Sequence, residues 1–280
     1  MKEIVNGIVY HYDWLAPFDK QKRTIVCLHG FTGSIHTFDC LKTIDSTVNL
    51  LVVDIIGHGN SASHVHPYRY QFQSVIKDMI QLMDRLNLQT VSLLGYSMGA
   101  RLALGIAHAI PQRIDQLILE SGSPGLKTAN ERLTRYQNDQ RLAGRLINEP
   151  LTDFINFWEN IPLFDTQKKL TPQQRATIRR ERLSQTNYGL ACSLLYMGTG
   201  SQPSYWQTLA DLTVPAIQLI VGELDKKFIG LAKEMQQIQP MIKLTVIPDV
   251  GHCVHLEAPN EFSNTIKQLI REFNDENCRN

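Results

Sequence analysis

The sequence predicts an α/β fold: a mostly parallel central sheet with helices on both faces and one inserted helical cap. Three observations lead there. Short β-branched runs recur along the chain with helical stretches between them; that alternation breaks once, between residues 121 and 206; and a single serine sits between two glycines where a strand run gives way to a helix of small residues. At 280 residues and 43% hydrophobic content the chain can bury one sizeable core.

The opening stretch, MKEIVNGIVYHYDWLAPFDK, spaces polar residues every few positions and has no apolar run. Neither a signal peptide nor a membrane span is expected there, and the expected compartment is cytoplasmic. TIVCLHG (24–30) and LLVVD (50–54) read as strands. QSVIKDMIQLMDRLNL (73–88) reads as a helix, because Val75, Ile76, Met79, Ile80, Met83 and Leu86 recur at three- and four-residue steps and mark a core-facing stripe. Then come TVSLLG (90–95), DQLILE (115–120), PAIQLIVG (215–222) and KLTVIP (243–248), all strand runs. Between the fourth and fifth of these six runs β-branched stretches vanish and Arg, Gln, Leu, Trp and Tyr take over, so residues 1–120 and 207–280 are assigned to the core and 121–206 to the cap.

Charge narrows the partner. A net charge of +1 without long like-charge runs gives no reason to expect nucleic acid or a membrane surface, and points to a small molecule. The distribution is uneven: Lys127 to Arg182 holds 11 Lys and Arg against 7 Asp and Glu, and eight of the eleven are arginine. Most would serve a solvated helical face, yet arginine rather than lysine supplies the planar fork that pairs with carboxylate or phosphate. Cys27, Cys40, Cys192, Cys253 and Cys278 are odd in number and scattered, so buried thiols are expected rather than disulfides or a zinc site. His58, His64, His66 and His108 lack metal-ligand spacing, and no metal is expected.

Gly95-Tyr96-Ser97-Met98-Gly99 fits the nucleophile elbow, a strained strand-to-helix turn that lifts a serine oxygen above the sheet. The same pentapeptide would also suit tight helix-on-sheet packing. Its downstream partners turn it into a site: a serine hydroxyl needs a base, the base needs an orienting acid, and the elbow fold delivers them in the order serine, acid, histidine. LIVGELDKKF presents Asp225 just past a strand, with Glu223 as its competitor, and VIPDVGHCVHLEAPNEF presents His252 after a glycine, with His255 read as lining or packing. LHGFTG (28–33), where a strand ends in a glycine turn, is the expected place for an anion-stabilising pocket made from the N–H groups of Phe31 and Met98.

HGFTG, DIIGHGNS (54–61), the elbow, GELD and GH together resemble the α/β-hydrolase fold across nearly the whole chain. ESGSPGL (120–126), ERLTR (131–135) with Asp139 beyond it, EPLTDFINFWENIPLF (149–164), GELDKKF and GHCVHLEAPNEF are narrower, and resemble the 2-succinyl-6-hydroxy-2,4-cyclohexadiene-1-carboxylate synthases of menaquinone biosynthesis. That resemblance implies a lyase that eliminates pyruvate from an enolpyruvyl precursor without a cofactor. It implies Ser97, Asp225 and His252 as the triad, and Tyr96, Arg101, Arg135, Trp158 and Arg182 as substrate contacts; Arg179 and Arg180 in the same run compete with Arg182 for that role. The implied substrate is a polyanion with three carboxylates, which gives the arginines a purpose: Arg101 lies one helical turn beyond Ser97 on the same face. The implied chemistry is proton abstraction beside a succinyl carbonyl, though the same three side chains would also serve nucleophilic attack. An ester or carbon–carbon hydrolase acting on an acidic substrate is the alternative, and a non-catalytic binding module of the same fold is a further one.

Overall fold

The computed structural model describes residues 1–44 and 47–277. The sheet begins with a hairpin in which β1 (Lys2–Val5) pairs antiparallel with β2 (Ile8–Trp14). Asn6 and Gly7 form its two-residue turn at φ 49° and 79°, the left-handed geometry such a turn requires. These two strands add to the six runs read from the sequence. β3 (Thr24–Leu28) and β4 (Asn49–Val53) lead through α1 (Phe72–Arg85) to β5 (Val91–Tyr96), and α2 (Met98–Ala109) leads to β6 (Ile114–Glu120). After the cap come β7 (Ala216–Gly222), α7 (Lys226–Ile238) and β8 (Lys243–Ile247), then a short turn of helix and a long C-terminal helix, Pro259–Asn277. The spatial order is β1-β2-β4-β3-β5-β6-β7-β8, with every pairing from β4 onward parallel.

Both faces of the sheet are covered, so its central strands are largely buried and mostly apolar while their side chains still alternate between the faces. Val26 and Leu28 of β3 and Leu93 of β5 join the core under α1 and α2; Ile25, Cys27 and Leu94 join the core under the C-terminal helix. In α1 the expected stripe is buried at Val75, Ile76, Met79 and Met83, whereas Ile80 is half-buried. The helix ends earlier than its apolar pattern suggested, because Asn87 takes φ 58° and turns the chain out of the helix after Leu86.

Between β6 and β7 lie α3 (Ala129–Asn148), α4 (Leu151–Trp158), α5 (Pro172–Leu183) and α6 (Asn187–Met197). Thr128 and Glu131 start α3 with a reciprocal capping box, and Thr171 and Gln174 do the same for α5. Leu146, Phe154, Ile155, Leu190 and Leu194 form a separate core, with Phe31 and Trp158 packed against it. That core fixes helices above the carboxyl ends of the strands, where ligands bind in open α/β sheets. Cys27, Cys192 and Cys253 are buried free thiols and Cys40 is a half-buried one; Cys278 lies outside the described residues. Among the described residues no helix is long and apolar enough to cross a membrane.

Candidate active site

Three loops at the carboxyl ends of β5, β7 and β8 bring Ser97, Asp225 and His252 together. His252 Nε2 stands 3.0 Å from Ser97 Oγ, and His252 Nδ1 is 2.7 Å from Asp225 Oδ2. With Nδ1–H donating to the carboxylate, Nε2 is left to accept from the serine hydroxyl. The backbone does the positioning. Ser97 takes φ 49° and ψ −101°, a sparsely populated conformation for a side-chain-bearing residue. The flanking glycines answer to crowding by the neighbouring strand and helix, and the positive φ falls on the serine rather than on either of them. A Cβ on Gly99 would lie 1.9 Å from the Leu28 carbonyl oxygen, and one on Gly95 would lie 2.5 Å from Ala100 Cα.

The competitors fall away on geometry. Glu223 is exposed and its carboxylate accepts from the Asp249 N–H, whereas Asp225 is buried and also caps α7 by accepting from Phe228 N–H. His255 is buried against the Glu120 carboxylate at 2.8 Å with its ring 4.5 Å from that of Tyr96, and it packs rather than lines the site.

Two residues inside the ESGSPGL and LHGFTG motifs, to which the sequence assigns no role of their own, brace the site. Ser121, itself at φ 49°, donates its hydroxyl to the His252 carbonyl and fixes that loop. His29 Nδ1–H donates to the Gly30 carbonyl at 2.8 Å, while its Nε2 accepts from Ile55 N–H at 2.9 Å. Burial holds the His29 pKa below the usual histidine value, which keeps that neutral tautomer. The turn so braced presents Phe31, opposite Met98, the first residue of α2, whose N–H belongs to the set that a helix leaves without an internal acceptor. Backbone amides at such a place suit a developing oxyanion.

A cavity of about 200 Å³ opens over Ser97 and His252. Phe31, Tyr96, Met98, Arg101, Arg135 and Trp158 all line it. Phe31 and Trp158 meet edge-to-face at 5.1 Å, giving the cavity an aromatic wall that comes half from the loop after β3 and half from the cap. Arg101 is anchored by Nη1, which donates to the Met197 carbonyl and to Gln202 Oε1. Burial, followed by the nearby Arg135, pushes the Arg101 guanidinium down to about 9, which leaves it charged at neutral pH. Arg135 donates from Nε to Asp139 Oδ1 at 2.8 Å. Two guanidiniums line this one small cavity, a residue type suited to pairing with anionic groups.

Arg182 is not among them. It is buried beneath Phe164 with its guanidinium carbon 5.0 Å from that ring, donates to Gln167 and faces Glu159 at 3.5 Å, so it lines a neighbouring cavity of about 270 Å³. Arg179 lines that second cavity too, paired with Glu159, and Arg180 faces away toward the groove beside His36. The cause is local: Phe164 stands between Arg182 and the triad, its ring 6.4 Å from that of His252. Among the described residues no three His, Cys, Asp or Glu side chains converge as metal ligands would.

Comparison with known proteins gives a consistent picture. Residues 23–259 match the alpha/beta hydrolase fold family. A Bacillus subtilis (strain 168) protein, provisionally named 2-succinyl-6-hydroxy-2,4-cyclohexadiene-1-carboxylate synthase, is 40% identical over 88% of this chain and 89% of its own. The synthase of that name from Salmonella typhimurium (strain LT2) is 31% identical over 89% of this chain and 94% of its own. Among solved structures, MenH from S. aureus superposes with a TM-score of 0.87 at 31% identity, covering 94% of this chain and 99% of its own.

Proposed function

The chain belongs to the alpha/beta hydrolase fold family and, within it, to the 2-succinyl-6-hydroxy-2,4-cyclohexadiene-1-carboxylate synthases; on that basis we propose that it is a carbon–oxygen lyase of menaquinone biosynthesis whose elimination is driven by Ser97, His252 and Asp225. Its substrate is 2-succinyl-5-enolpyruvyl-6-hydroxy-3-cyclohexene-1-carboxylate, and its products are pyruvate and the ring diene. His252, held by Asp225, draws the proton from Ser97 Oγ, and that oxygen removes the proton beside the succinyl carbonyl. The Phe31 and Met98 amides stabilise the enolate oxygen that develops. As the enolate collapses, the ring carbon–oxygen bond breaks, the electron pair leaves with the enolpyruvyl oxygen, and protonation of that fragment gives pyruvate. No acyl group changes hands.

The observation that carries this reading is the pair of arginines, Arg101 and Arg135, in the cavity of the triad. A neutral ester gives such a pair nothing to bind. A substrate with three carboxylates uses it for orientation, and holding a reactant in line can supply about 7 kcal/mol or more of a barrier. Tyr96 and Trp158 complete the contacts, with the Phe31–Trp158 wall against the six-membered ring. Arg182 is left out of the contact set because Phe164 screens it.

The test is to incubate the purified protein with the enolpyruvyl substrate and measure pyruvate and diene together. The reading predicts one pyruvate per diene. Pyruvate release without diene would indicate hydrolysis, and substrate binding without any turnover would indicate a binding module.

A further inference from the structure

Asp139 is a buried carboxylate that the elimination itself does not use. It sits on α3 four residues after Arg135, so both side chains share one helix face. Its side chain has no exposure to solvent, and its Oδ1 takes the Arg135 Nε–H at 2.8 Å. The other oxygen, Oδ2, lies under the turn after α6 and has no hydrogen-bond partner of normal geometry, although the Gly200 N–H is near enough to favour the charged form. Room for that oxygen depends on a missing side chain: a Cβ on Gly198 would stand 2.5 Å from Oδ2. The same turn is where Arg101 is anchored, through the Met197 carbonyl and Gln202. One carboxylate thus stands among a core arginine on α2, a cap arginine on α3 and the segment that joins them.

A buried carboxylate is costly unless a partner offsets it. Here the partner is an arginine whose remaining fork faces a cavity, and a second guanidinium is close by. We propose that Asp139 is a positioning residue for the elimination: it commits Nε of Arg135, leaves the terminal nitrogens for a substrate carboxylate, and acts as the counter-ion that lets two arginines wait in one cavity. This inference rests on Arg135 being a substrate contact. Burial raises the Asp139 pKa and Arg135 opposes that rise, in keeping with a carboxylate held in place by its arginine.

The experiment is a double-mutant cycle on the full chain with Asp139→Asn, Arg135→Ala and the pair, plus Asp139→Ala to show that the trend tracks the side chain. KM and kcat for the enolpyruvyl substrate are measured, and citrate, an inert tricarboxylate, is titrated calorimetrically into each variant. Asp139→Asn is expected to raise KM and the citrate Kd about tenfold with kcat nearly kept, and to add nothing once Arg135 is alanine. An effect of equal size in both backgrounds is what a merely structural carboxylate gives, and overturns the inference. Tighter binding by Asp139→Asn is what a simple opposing charge gives, and overturns it too. A wild type that binds citrate but releases no pyruvate sinks the proposed reaction; the citrate cycle then still decides the role of Asp139. A wild type that fails to bind citrate overturns the inference.

Discussion

Replacing Asp225 by asparagine separates catalysis from folding, because the two carboxylate oxygens have different jobs. Oδ1 accepts from Phe228 N–H and caps α7, while Oδ2 accepts from His252 Nδ1. Asparagine has one acceptor. If its oxygen keeps the cap, its amide nitrogen faces His252 and donates, so Nδ1 must accept and the ring proton moves to Nε2, 3.0 Å from Ser97 Oγ. An imidazole that donates to the serine cannot take its proton. The expected loss in kcat is about 10³- to 10⁴-fold, the range for a wrong tautomer in a serine–histidine–acid site, which corresponds to about 4 to 5.5 kcal/mol of barrier. The stability cost is far smaller, about 1 to 2 kcal/mol for trading one charge-assisted bond for a neutral one. Pyruvate release coupled to lactate dehydrogenase gives the rate, and urea denaturation monitored by circular dichroism gives the stability. Retention of more than a tenth of wild-type kcat by a folded variant would refute the relay, and a collapse of folding would show that the cap, not the tautomer, dominates.

Arg101→Ala and Arg135→Ala should each raise KM by about 10- to 100-fold, the worth of a charge-assisted hydrogen bond, with lysine restoring part of it because the fork is lost; unchanged steady-state kinetics in both would remove the polyanion argument. Gly99→Ala forces a methyl group against the Leu28 carbonyl, so stability should fall by about 3 kcal/mol, and a wild-type urea midpoint would show that the elbow can shift without penalty. Burial lowers the His58 pKa to about 3 from an ordinary value of 6.5. The unfolded chain therefore binds the proton first, so this contribution is complete above pH 6.5 and is lost as pH falls toward about 3. His58→Phe, which keeps a ring beside His29 and Phe31, should flatten the acid side of the stability profile; an unaltered profile would assign it to other groups.

The sheet was legible where β-branched residues cluster: the β3, β4, β5, β6, β7 and β8 runs all lie there, from the wholly buried β3 and β4 to the half-exposed edge strand β8. β1 and β2 were not, since KEIV and IVYHYDW mix polar with apolar residues at the sheet edge. Asn6-Gly7 is the signal that could have found them, being the pair that a two-residue hairpin turn favours. The candidate triad was legible because its order along the chain is dictated by topology. Arg182 was not, since a sequence run shows which arginines are near but not that Phe164 lies between one of them and the serine. The Ser121–His252 and His29–Ile55 hydrogen bonds were equally hidden, because a single serine or histidine on a loop carries no period to read.

In the proposed elimination Ser97 acts as a base and never as a nucleophile, and a base leaves no covalent trace. Intact-protein mass spectrometry on rapid-quench samples taken during turnover of the enolpyruvyl substrate probes this difference, with His252→Ala run beside the wild type. The mass of the wild-type chain should stay that of the free protein at every time point while pyruvate accumulates. A substrate-derived increment on Ser97 that forms and decays at the rate of turnover would contradict the base mechanism and put covalent catalysis in its place.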